Sequence, residues 1–350
     1  MMIIALDAMG GDHAPAEPVR GALLACRELA LEVALVGPPD LLREELARAG
    51  AVPSGIEVVA AREAIAMDEL PVQAVRQKKE ASINVAMGLV KRGKADAVVS
   101  AGNTGAVMAS ALLHLGRVPG IERPAIGTMA PYDTKGVLVL DVGANADCKP
   151  SYLVQFAQMG AVYMEKVYGV QRPRVGLLNI GEEATRGNEL TQEVYARLQR
   201  SDVHFVGNVE PDRAHLGLAD VIVTDGFTGN VAVKATEGAA EFIFAQLRSA
   251  IESRPLYRLA ALVLRPALLQ MRRRMDYGEY GGAPLLGVNG VVIIAHGHAR
   301  AQAVKSALRT ARAVAGSGML GALRGTLAGD PSPVAVASPT ATSVPGETRV

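Results

Sequence analysis

Residues 219–238 read ADVIVTDGFTGNVAVKATEG, and an earlier stretch beginning at Ala95 reads ADAVVSAGNTGAVMASALL. Aligning Ala95–Gly105 with Ala219–Gly229 keeps Ala-Asp at the front, a Val in the apolar run and Gly-x-Thr-Gly at the turn. Each copy predicts a short buried strand, a glycine turn and a helix. The same grammar spreads outward along the chain. Apolar runs near Ile3–Leu6, Val33–Val36, Ile56–Val59, Ala97–Ser100, Val137–Leu140, Val175–Leu178, Val203–Val206, Val221–Thr224 and Val291–Ala295 predict strands. Most lack alternation, as expected of parallel strands buried on both faces. Between them lie helical patterns such as Pro150–Tyr168, where Leu153, Phe156, Gly160, Tyr163 and Val167 fall on one face. Strand–helix alternation on this scale predicts an α/β fold with a mostly parallel sheet covered by helices.

Two segments break the rhythm. Glu237 to Met275 predicts a protruding helical hairpin, with SRPLYRLAALVLRPALLQ at its tip. Residues 325–350 are rich in Pro, Ser, Thr and Ala and carry no periodic apolar face, which predicts a disordered tail. The expected organisation is therefore one catalytic domain over residues 1–324, with the hairpin inserted at about 237–275 and the tail beyond.

Composition narrows the function. The 350 residues hold 36 Lys and Arg against 35 Asp and Glu, so no global basic field favours nucleic acid. With no tryptophan there is little to build base-stacking platforms. Cys26 and Cys148 stand far apart, offering neither a metal-ligand spacing nor a disulfide framework. Asp7 interrupts the apolar start long before a signal-peptide core forms. A soluble intracellular enzyme without metal or cofactor is the expectation.

A turn that ends a parallel strand and opens a helix leaves backbone N–H groups without intrahelical partners. Glycine admits a close approach, and the helix dipole favours an anion. Such corners occur at Asp7–His13, Ser100–Gly105, Asp141–Asn145, Asn179–Glu183 and Asp225–Asn230. None is a P-loop or a dinucleotide fingerprint. Any one corner alone reads equally as a helix cap; five at successive strand ends predict one shared anionic-ligand cleft. The charged residues nearby also carry two readings. His13 is a turn histidine or a proton carrier; Arg186 is a surface cation or an anion partner. Asn230 and Lys234 are first-turn helix residues or site groups, and His296 is a structural histidine or a general base. No HExxH, cysteine cluster or nucleophile elbow is present.

Together the motifs DAMGGDHAP at Asp7, SAGNTGA at Ser100, LDVGANADCKP at Leu140, RVGLLNIGEE at Arg174, RGNEL at Arg186, VTDGFTGNV at Val223 and MDYGEYGGAPLLG at Met275 resemble the phosphate acyltransferase (PlsX) family of bacterial phospholipid synthesis. They run in order from about Met2 to Ala313. The resemblance implies a fold similar to the isocitrate and isopropylmalate dehydrogenases and to phosphotransacetylase. It implies transfer of a long fatty acyl group from acyl carrier protein to inorganic phosphate, giving acyl phosphate for glycerol-3-phosphate acylation. A cytoplasmic homodimer held peripherally at the membrane, close to the downstream glycerol-3-phosphate acyltransferase, follows from the same resemblance. Two departures stand out. The lysine-rich stretch usual before Gly187 is Ala184-Thr185-Arg186, and the small polar residues usual after His296-Gly297 are His298-Ala299.

Phosphate is itself a nucleophile, so such an enzyme must position it and stabilise an oxyanion. On this reading Asn103, Thr104, Gly105, Thr228 and Gly229 are the expected phosphate-binding residues. Asn230, Arg186, Lys234 and His13 are the expected catalytic residues, with His296 as the alternative proton carrier. Leu259, Leu262, Val263 and Leu264 are expected at the acyl chain or the membrane, or at a contact between hairpins. Arg272, Arg273 and Arg274 are expected to meet the acidic carrier protein. A coenzyme A-dependent phosphotransacetylase and a non-catalytic sensor of phosphorylated lipid precursors are the rival readings.

Overall fold

The computed structural model describes residues 2–50, 53–132, 136–275 and 281–328, excepting the side chains of 272–275 and 327–328. In chain order the strands are β1 (Ile3–Asp7), β2 (Glu32–Gly37), β3 (Ile56–Ala60), β4 (Ala97–Ser100), β5 (Ala125–Ala130), β6 (Val137–Leu140), β7 (Arg174–Leu178), β8 (His204–Val209), β9 (Val221–Val223), β10 (Ala283–Leu286) and β11 (Val291–Ile294). The helices are α1 (Ala16–Leu29), α2 (Pro39–Arg48), α3 (Pro71–Gln77), α4 (Ser82–Lys91), α5 (Thr104–His114), α6 (Pro150–Tyr168), α7 (Glu189–Leu198), α8 (Gly226–Glu252), α9 (Pro255–Met275), α10 (Ala301–Gly316) and α11 (Met319–Ala328).

The strands form one sheet in the order β3-β2-β1-β4-β11-β10-β5-β6-β9-β7-β8. β3, β2, β1, β4 and β11 are mutually parallel, as are β6, β9, β7 and β8. Between these two lobes, β11–β10, β10–β5 and β5–β6 all pair antiparallel. Three reversals leave the lobes with opposite strand directions. Their loop-bearing carboxyl ends therefore lie at opposite ends of the sheet.

Burial explains the apolar runs. Alternate residues such as Leu6 and Ala5, or Val99 and Val98, enter two different buried clusters. In the first lobe α1, α2 and α10 fill one face while α4 and α5 fill the other. In the second lobe α6 and α7 continue the first face. α6 starts with Pro150 at its first turn and ends at Gly169 in the left-handed conformation, two signals visible in the sequence. Gly160 lies so close to β9 that a Cβ there would sit 2.6 Å from Val221 Cγ1. Only glycine lets this helix approach the sheet.

Three expectations are revised. β5 and β10 are absent from the sequence reading because Gly127 and Pro284 interrupt their patterns. Pro284 pairs with β11, and Leu285 and Leu286 pair with β5, so β10 changes partners at the proline. The hairpin is not an insertion beginning at Glu237: α8 is continuous from Gly226. The expected tail loses its first four residues to α11, which ends at Ala328; residues 329–350 lie outside the described residues.

Candidate active site

At the end of β1, Asp7 is buried and its carboxylate accepts from Ser100 Oγ at 2.7 Å and from the Met9 amide at 3.2 Å. Burial pushes its pKa up, against the hydrogen bonds from Ser82, Ser100 and Met9. The loops after β1, β4 and β11 then close on one another. A Cβ on Gly10 would lie 2.6 Å from the Gly102 amide nitrogen, and one on Gly11, at φ +99°, 2.9 Å from the Gly297 carbonyl. The Asp12 amide donates to that carbonyl at 2.8 Å. The space beneath these loops is about 10 Å³, no more than a water. That space is too small for a larger anion such as phosphate.

Above lies an electrostatic cluster. His298 Nδ1 is 2.9 Å from Asp12 Oδ2, and the His296 and His298 ring centroids are 4.3 Å apart. Burial first, then His298 and Lys234, lower the His296 pKa; Glu237 and Asp12 pull the other way. His296 is thus held in its neutral form at neutral pH. Lys234 and Glu237 belong to α8 of the second lobe, which crosses β6 and β5 toward the first. Their i, i+3 spacing puts both on one helix face. Asp12, His298 and Glu237 were not among the expected site residues. The spacing on α8 was the only sequence signal for Glu237, and nothing local in the sequence pairs Asp12 with His298.

The expected phosphate turns do not meet. β4 and β9 are five strand positions apart, about 24 Å at 4.8 Å per step, and their carboxyl ends point in opposite directions. The shared cleft drawn from five corners is therefore corrected to two separate ends of the sheet. The Asn103 side chain caps α5 by accepting from the Ala106 amide at 3.1 Å and donates to the Met67 and Glu69 carbonyls. Thr104 and Gly105 open the helix, where geometry denies their amides an intrahelical acceptor. At the other corner the Thr228 amide donates to the Asp225 carboxylate at 2.8 Å and the Gly229 amide to the Asp225 carbonyl at 2.9 Å. A Cβ on Gly229 would fall 2.0 Å from the Asp141 carbonyl oxygen. Its glycine serves close packing, and an anion would meet a carboxylate there.

Asn230 donates to the Val142 carbonyl at 2.9 Å and ties α8 to the loop after β6. In that loop Asp141, wholly buried, accepts from the Ile126, Gly143, Ala144 and Asn145 amides and from Asn145 Nδ2. Burial pushes the Asp141 pKa up while these donors pull it down. Arg186 is exposed and pairs with Glu183 at 2.9 Å in the second lobe, away from the His296 cluster. His13 is half-buried beside Asp12, and its carbonyl accepts from the Glu17 amide at 3.1 Å. Leu259, Leu262, Val263 and Leu264 are all exposed on α9. Arg272, Arg273 and Arg274 lie on the same helix, with side chains outside the described residues. Among the described residues no helix is long and apolar enough to cross a membrane, and no group of three or more His, Cys, Asp or Glu is placed to hold a metal.

This two-lobed sheet is the fold of the phosphotransacetylases. It resembles the enzyme of Streptococcus pyogenes at a TM-score of 0.58 and 19% identity, over 89% of this chain and 94% of that one. A 4-hydroxythreonine-4-phosphate dehydrogenase of Klebsiella pneumoniae gives 0.55 and 15%, over 90% and 99%. At such identities the likeness concerns fold alone. The sequence goes further. The model of the family described as fatty acid synthesis protein matches residues 2–321. A phosphate acyltransferase of Desulfitobacterium hafniense (strain Y51) is 52% identical over 321 residues, 91% of this chain and 96% of the relative. One from Heliobacterium modesticaldum is 52% identical over 334 residues, 95% and 100%. The chain belongs to this phosphate acyltransferase family.

Proposed function

We propose that the protein moves a long-chain fatty acyl group from acyl carrier protein to inorganic phosphate, yielding acyl phosphate for phospholipid synthesis. The observation that carries the reading is the neutral-capped corner of α5 lying in the same lobe as a neutral His296, with Lys234 charge reaching in from α8. The Thr104 and Gly105 amides and Lys234 hold the phosphate; His296 takes its proton. A phosphate oxygen then attacks the thioester carbonyl, the carbon–sulfur bond breaks, and the carrier thiol leaves with a proton. No enzyme nucleophile is needed, because alignment and charge neutralisation supply the acceleration.

Purified protein, long-chain acyl carrier protein and phosphate should give acyl phosphate and free carrier thiol with no added cofactor. Thiol release independent of phosphate, or turnover restricted to acetyl-coenzyme A, would remove this reading; the second outcome would favour a phosphotransacetylase.

The hairpin suits a peripheral membrane contact, since Leu259, Leu262, Val263 and Leu264 are exposed beside Arg258 and Arg265. Homodimerisation would cover Phe242 and Ile243, both exposed on α8. Arg272, Arg273 and Arg274 offer positive charge to the acidic carrier. Leu262→Glu with Leu264→Glu should release the protein from anionic vesicles; vesicle binding equal to wild type would count against the tip.

A further inference from the structure

We infer that the thinly covered face of the second lobe binds the alkyl chain of the acyl substrate, an inference that rests on the acyl-transfer reading above. In a layered α/β fold each sheet face needs helical cover. One face of β6, β9 and β7 lies under α6 and α7. On the other, among the described residues, the buried cluster holds only Val137, Leu178, Val209, Ala214, Ala219 and Ile222, with Tyr132 and Ala232 packed against it. Between this face and α8 lies a cavity of about 780 Å³. Its size and apolar lining are those of a small-molecule site rather than of a packing defect.

Its length matches its proposed occupant. α8 lines the cavity from Phe227 to Ala239, about 18 Å at 1.5 Å per residue. Carbon–carbon bonds of about 1.52 Å at angles of about 111° advance an extended chain about 1.25 Å per bond, so the fifteen bonds of a sixteen-carbon chain reach about 19 Å. The walls are apolar: Val139, Leu178 and Ile222 on the strand side, Val231, Ala232 and Ala235 on α8. Short alanine side chains keep the helix from filling the space itself. Polar groups line it as well, among them Asn188, Thr191, Asp212 and Asp225, with Tyr132 beside Thr236. A chain lying along α8 would thus run beside the helix that also presents Lys234.

Filling the space tests this directly. Palmitate titrated into the full-length protein should bind saturably at one site per chain. Ala232→Phe should weaken that binding at least about tenfold. It should also lower the ratio of palmitoyl to butyryl kcat/KM by a similar factor. Ala235→Leu, a smaller intrusion, should do the same to a lesser degree and serves if Ala232→Phe does not fold. Unchanged palmitate affinity in both variants would overturn the site. So would a change of oligomeric state on filling, measured by light scattering, because a second copy would then be the occupant. A wild-type protein that binds palmitate yet forms no acyl phosphate keeps the cavity and loses the reaction. One that forms acyl phosphate but ignores both substitutions keeps the reaction and loses the cavity.

Discussion

In the first lobe the helix after the repeated turn begins behind Asn103, a neutral cap; in the second it begins two aligned positions earlier, behind Asp225. The alignment sets Ala101 against Asp225 and Asn103 against Phe227. One substitution in the repeat thus decides what each corner can hold. Asp225 supplies the negative charge that a helix start attracts, and it occupies the Thr228 amide. In the first lobe the Asn103 side chain occupies the Ala106 amide in the same way but adds no negative charge. The buried aspartates beneath differ in the same sense: Asp141 gathers five donors, whereas Asp7 accepts from three and lies beside a polar space. One corner is built to hold the fold together; the other is the one proposed above to receive phosphate.

Breaking that contrast should show first in stability. Asp141→Ala strands five donors and should cost about 4 kcal/mol in urea unfolding, against about 2 kcal/mol for Asp7→Ala. Equal losses would dissolve the distinction. Gly229→Ala drives a methyl into the Asp141 carbonyl and should cost about 3 kcal/mol, the upper end of overpacking penalties. Lys234→Ala should lower kcat/KM about a hundredfold by removing charge from the reacting phosphate. Finer still, Asn103→Asp should raise the phosphate KM about tenfold through charge repulsion. It also turns two donations to carbonyls into repulsions, costing about 2 kcal/mol. Asp225→Asn keeps the cap oxygen and should leave the phosphate KM within about twofold. A large fall there would place phosphate at the second corner, where the Asp225 carboxylate would otherwise repel it.

The proposed proton carrier has its own signature. His296 has a pKa below its ordinary 6.5. Above 6.5 it is neutral folded or unfolded and stability is indifferent to it; between its folded pKa and 6.5 the unfolded chain binds the proton, so stability falls as pH drops. The acid limb of kcat/KM should likewise lie below pH 6.5. Lys234→Ala should move that limb upward, since Lys234 is among the groups holding the pKa down. A limb indifferent to His296→Asn would assign the proton elsewhere.

The parallel strands were legible because burial on both faces leaves uninterrupted apolar runs such as Val221–Val223. β5 and β10 were not, and they are the strands that reverse the second lobe. Without them five polar corners looked like neighbours. Asn103 and Asn230 were readable as polar turn residues, but their roles depended on acceptors far away in sequence, Met67 and Val142. Lys234 was legible as a charged residue in the first turns of a predicted helix, and its nearness to His296 only through the crossing of α8.

α8 has one more implication. From Lys234 to Glu252 the helix is an unbroken rod whose eighteen residue-to-residue steps span about 27 Å at 1.5 Å each. Should the leucines beyond its far end settle on a bilayer, the chemistry would be held at a set height above the lipid. Product would then be released a short, constant step from the surface where a greasy anhydride is next consumed.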